Sequence, residues 1–272
     1  MTWILLAVLV GIIALIHLLL LSISKVNFPT GSQGPRLGQI QNLLGLPVAL
    51  PLTITLLSSF GSVLAVILIA SSMGSEYNWR TIRTAVISSE SRFKLLGAKL
   101  VSAIILILIG MVLGLAAGFV MSIITTAIGG YKFDFSFATG SYLWDQFLQF
   151  WRTFFVLMPY MLLGFMFSIV GRSAMPGIAL GIGTIFLEGV VTAFMTLAGG
   201  WIAKIPEYLI ADNVRAITSL NSLPSGFRAG MGIGGGTSQL PSVAHATIAL
   251  AMYSIAFLVI AFYLFRKRDV TG

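Results

Sequence analysis

Residues 100–128 read "LVSAIILILIGMVLGLAAGFVMSIITTAI", a run without one charged side chain. As a helix rising 1.5 Å per residue it would measure about 43 Å, more than the roughly 30 Å hydrocarbon core of a bilayer. Comparable apolar runs recur near 2–23, 47–73, 153–170, 176–197 and 242–265. With 100–128 they make six candidate membrane spans, an even number that puts both termini on one side. The fold expected is an all-α polytopic membrane protein, a single transmembrane domain over 1–272. No internal repeat or second domain is visible.

Composition agrees. Of 272 residues, 57% are hydrophobic and 9% charged, against about 25% charged in soluble domains. Mean hydropathy is +1.00. A formal charge of +8 would point to nucleic acid in a soluble protein, but here the basic residues sit in connections between apolar runs, where membrane topology explains them. The lipid bilayer, not nucleic acid, is the implied environment. The first run, 2–23, has no basic segment before it and no small-residue cleavage site, so it reads as a retained helix rather than a signal peptide.

Placing both termini inside puts nine of the sixteen basic residues on the inner segments 74–99, 171–175 and 266–272. Seven fall on the much longer outer segments 25–46, 129–152 and 198–241. The positive-inside rule therefore favours cytoplasmic N and C termini and a multi-pass protein of the cytoplasmic (inner) membrane, with "FRKRDV" as the strongest anchor. In the second outer segment, Tyr142, Trp144 and Trp151 fall where an interfacial aromatic belt would lie. The third, 198–241, is the longest extracytoplasmic segment. Its first half, "WIAKIPEYLIADNVRAITSL", is amphipathic enough to lie on the interface or re-enter partway.

The loop 74–99 concentrates charge. Ser75 is placed to cap a helix with Glu76 in its first turn and Arg80 one turn on. Trp79, Ile82 and Val86 form its apolar stripe, with Arg80 and Arg83 on a neighbouring face. Ser89 then caps a second helix that leads through Arg92, Lys94 and Lys99 into the 100–128 run.

The order Glu76, Arg80-Thr81, Arg83, Arg92 and Lys99 resembles the cytoplasmic loop between the second and third spans of ABC type-2 permeases, the export-type membrane subunits of ATP-binding-cassette transporters. Arg80 stands where Gly is usual and Ser89 near the usual Pro. The "GRSAMPGIALGIG" connection, the long segment before the sixth span and the Arg268-Asp269 tail extend the likeness over nearly the whole chain. The resemblance implies a translocation pathway between two permease subunits, the second the same or homologous, and a separate ATPase subunit that binds ATP and Mg. It also implies that the 74–99 loop is a coupling helix docking on that ATPase through Glu76, Tyr77, Trp79, Arg80, Thr81, Arg83 and Arg92. A non-transporting scaffold subunit of a larger complex would share the composition and topology.

Chemistry within this chain is not expected. It has no cysteine, no His-Glu-x-x-His, and no Gly-Lys pair with which to build a P-loop. Gly230, Gly232 and Gly235 match Gly-x-Gly-x-x-Gly but read as outer loop. The chain is therefore expected to be no enzyme by itself and to hold no catalytic, metal or cofactor site. Two intramembrane polar residues stand out. Glu188, mid-way along the fifth span, marks either a pathway or buried pair, or a protonated group bonded to a neighbouring helix. His17 is a core histidine or a proton relay. Gly110, Gly114 and Gly118, like Gly177 and Gly181, recur at four-residue spacing and would let helices approach closely.

Overall fold

In the computed structural model, which describes residues 2–25, 44–78, 92–131, 133–221 and 240–267, the protein is an all-α polytopic membrane protein. Among the described residues six helices are long and apolar enough to cross a bilayer. They are α1 (Thr2–Ser24), α2 (Leu46–Asn78), α3 (Arg92–Gly129), α4 (Gly140–Gly171), α5 (Ala174–Ala198) and, after a short helix, α7 (Val243–Lys267). Between α5 and α7 lie a 3-10 helix (Ile202–Tyr208) and α6 (Ile210–Thr218).

The helices alternate in direction, as contacts at their ends show. At one end of the bundle, Glu76 near the end of α2 bonds Lys99 near the start of α3, and Phe93 stacks on Phe262 of α7 at 5.8 Å. At the other, the Tyr131 hydroxyl, just past α3, reaches Ser24 at the end of α1 (3.4 Å). There too Tyr142 in the first turn of α4 donates to the Pro47 carbonyl at the start of α2.

Helix α2 is the hub, packing against α1, α3, α4 and α5. Its neighbours come close because they are stripped of side chains where they meet it. A Cβ at Gly118 of α3 would run into Thr53, and one at Gly181 of α5 would lie 2.6 Å from Val66 Cγ1. Gly114 and Gly177 are similarly placed against Leu57 and Ala70. The four-residue glycine spacings therefore serve packing inside the chain. Gly110 does not share in it, since nothing lies within 4 Å of the position its Cβ would take.

Several helices outrun the apolar segments. Ser75, expected to cap a separate helix, and Glu76, expected in that helix's first turn, lie instead in the last turns of α2. There the Ser75 hydroxyl donates back to the Ser72 carbonyl at 3.2 Å. A serine that bonds its own preceding turn does not compete for the backbone N–H groups ahead of it, so the helix runs on. The short α4–α5 turn is made by Arg172, whose φ of 51° is left-handed, followed by Ser173, which accepts from the Met175 N–H at 3.4 Å.

Candidate functional site

The amphipathic stretch after α5 does not stay at the end of the bundle. From Gly199 the chain turns back, and its 3-10 helix advances about 14 Å at roughly 2 Å per residue. Helix α6 then returns about 12 Å. The fixed points agree with those lengths. The tip meets Glu188, about 15 Å short of the end of α5, and the far end meets Arg152, whose Nη1 donates to the Leu220 carbonyl at 3.3 Å. Arg152 lies about 12 Å along α4 from Tyr160, the α4 residue at the tip. The stretch thus packs back along the bundle, with its tip level with Glu188 of α5.

The tip is held from three long helices. The Glu188 carboxylate of α5 accepts from the backbone N–H of Ala211 at 2.8 Å through Oε2 and of Ile210 at 3.3 Å through Oε1. Tyr160 of α4 points its hydroxyl at the same carboxylate, at 3.5 Å. Tyr253 of α7 donates to the Tyr208 carbonyl at 2.8 Å. The Glu188 and Tyr253 contacts answer obligations of the backbone. The first amides of α6 have no partner within the helix, and a carboxylate also suits the positive end of the helix dipole. The Asn213 amide donates to the Glu207 and Leu209 carbonyls, closing the turn from the 3-10 helix into α6.

Around the tip the packing is apolar. Ile210, Ala216 and Ile217 of α6 bury against Val156 and Tyr160 of α4, Val66 of α2, and Ala246 and Leu250 of α7. Asp212 is also buried and bonds Arg215 one turn on at 3.0 Å, so that α6 carries its carboxylate inward already paired. Tyr160, Tyr253 and Asn213 were not singled out in the sequence. The juxtaposed Asp212 and Asn213 within an otherwise apolar face were the one available signal.

Among the described residues Glu188 has no basic partner. Its partners are backbone amides and a tyrosine. His17 is not part of this group: α1 packs against α3 and α2. Its buried ring donates through Nδ1 to the carbonyl of Ile13 in its own helix, at 2.8 Å.

At the opposite end of the bundle, the Glu76 carboxylate is 2.6 Å from Lys99 Nζ, fastening α2 to α3 just before the connection between them. Tyr77 is half-buried and packs against the core that these two helices share. Trp79, Arg80, Thr81 and Arg83, like Ser89, lie outside the described residues; Arg92 opens α3, and its side chain is likewise outside them. Among the described residues there is no group of three or more His, Asp or Glu side chains that could hold a metal.

No curated protein and no solved structure matches this sequence. A family model described as "Protein of unknown function (DUF2705)" matches residues 4–271, nearly the whole chain, and the chain belongs to that family.

Proposed function

We propose that the chain is the membrane-spanning permease of an ATP-driven exporter of the ABC type-2 kind, working with a separate ATPase and a second permease subunit, same or homologous. In this reading the termini and the 79–91 connection face the cytoplasm, and ATP and Mg are held by the ATPase.

The observation that carries the proposal is how force applied at that connection would spread. The connection joins α2 to α3, whose ends are tied by Glu76 and Lys99, and α2 packs against α1, α3, α4 and α5. A partner that pushes on the connection therefore moves the hub of the bundle, not a peripheral helix. Arg80, Arg83 and Arg92 supply the charge for such a docking surface.

The test is purification of the tagged chain in gentle detergent, with identification of co-purifying subunits and assay of ATP hydrolysis. A stoichiometric P-loop ATPase is expected, lost when Arg80 and Arg83 are both replaced by Glu while membrane insertion is kept. A stable complex containing no ATPase would make the chain a scaffold and the basic loop a topological anchor.

A further inference from the structure

Between α1, α2 and α3 lies a cavity of about 400 Å³. Its walls are mostly aliphatic, with Leu6 and Leu9 on α1, Leu64 on α2, Leu113 on α3 and Leu157 on α4. A cavity of about 150 Å³ lined this way stays dry and takes up apolar guests, and 400 Å³ falls within the range of small-molecule sites. Water has almost nothing to bond to there, because Thr2 at the rim supplies the one hydroxyl among the lining residues.

Two glycines keep the space open. A Cβ at Gly110 would meet nothing within 4 Å, and one at Gly61 would make only an ordinary contact with Leu157, at 3.6 Å. Neither is needed for close helix approach, unlike Gly114 and Gly118, and glycine is unfavourable inside a helix. A leucine at either position would extend into the cavity.

The rim of the cavity faces the lipid side of the bundle. Trp3 on α1 and Ile109 and Leu113 on α3 line it and are exposed on the outer flank of these two spans. A guest that enters from the hydrocarbon phase past this exposed flank is apolar and uncharged. We propose that the cavity is a binding site for one acyl chain of a bilayer lipid. This rests on the membrane fold alone and does not depend on the exporter reading.

The experiment uses the full chain reconstituted in phosphatidylcholine vesicles whose lipid carries a photoactivatable diazirine on one acyl chain. After irradiation, adducts are mapped by mass spectrometry. They should concentrate on 2–9, 57–68 and 106–113, above the per-residue level on the exposed outer face of α5 at 186–197. Gly110→Leu and, independently, Gly61→Leu fill part of the space and should lower cavity adducts to the per-residue level on α5, while those on α5 stay constant. Cavity adducts no more frequent than those on α5, in the wild-type map alone, overturn the site; so do adducts that persist at full level in either filled variant.

Discussion

The start of α2 and the start of α6 pose one problem with opposite signs. At α2 the surplus groups are carbonyls. Pro51 has no N–H to give Pro47, and the Val48 N–H goes to Gly45, leaving the Leu44 carbonyl to find donors elsewhere. Donors come from neutral hydroxyls on two other helices: Tyr142 of α4 to Pro47 at 2.8 Å, and Ser122 and Thr126 of α3 to Leu44 at 3.5 and 3.2 Å. At α6 the surplus groups are N–H donors, and both Ile210 and Ala211 turn to one carboxylate, Glu188. Inside a bilayer, backbone groups need partners within the protein. The first site meets that need with several neutral hydroxyls, the second with one carboxylate. One is built to tolerate a loss and the other is not.

Glu188→Ala therefore carries the largest expected effect. It strands two amides and the Tyr160 hydroxyl at once, and at about 1–3 kcal/mol for each buried group left unmet, a loss of about 2–4 kcal/mol is expected after local relaxation. Amide exchange should accelerate across 202–221 and stay unchanged in α1 and α3. Glu188→Gln keeps a carbonyl acceptor and should lose less than half as much. If Glu188→Ala leaves the exchange of 208–211 as slow as in the wild type, the carboxylate is not what holds the tip.

Tyr142→Phe comes next. It removes one good hydroxyl-to-carbonyl bond from the proline-interrupted start of α2, worth about 1 kcal/mol. Thermal unfolding in detergent should register that loss, with faster exchange confined to the first turns of α2. A loss as large as that of Glu188→Ala would mean the two sites are equally brittle and would erase the contrast between them.

These sites also mark what the sequence conveys. Six spans follow from apolar runs of bilayer length, and Glu188 stands out because a carboxylate in such a run needs a reason. Its partners were not legible. They are backbone amides 22 and 23 residues later, and no side-chain pattern advertises a backbone donor. The course of 202–221 was open for a related reason: an amphipathic pattern fixes which face is buried but not against what. Tyr142 looks like an interfacial aromatic beside Trp144 and Trp151. The two tryptophans are exposed and joined through Phe147, which stacks on Trp144 and meets Trp151 edge to face, whereas the Tyr142 hydroxyl serves α2. Hydropathy also stops short of helix ends, since it measures bilayer thickness and not hydrogen-bond continuity. That is why α2 runs through Ser75 and Glu76 to Asn78.

The smallest effect is the sharpest probe of redundancy. Ser122 donates to the Leu44 carbonyl at 3.5 Å, the long end of hydrogen bonding, and Thr126 donates to the same oxygen at 3.2 Å. Ser122→Ala should cost less than about 0.5 kcal/mol, because the carbonyl keeps Thr126. Thr126→Val should cost little more, because Ser122 remains. The double variant leaves a buried carbonyl without either hydroxyl and should cost about 1–3 kcal/mol. The loss should therefore exceed the sum of the singles, the non-additivity expected of residues that share one partner. A double-mutant cycle on thermal stability measures this directly. Additive losses would mean that the two hydroxyls do not substitute for each other, and the start of α2 would then depend on single contacts just as the start of α6 depends on Glu188.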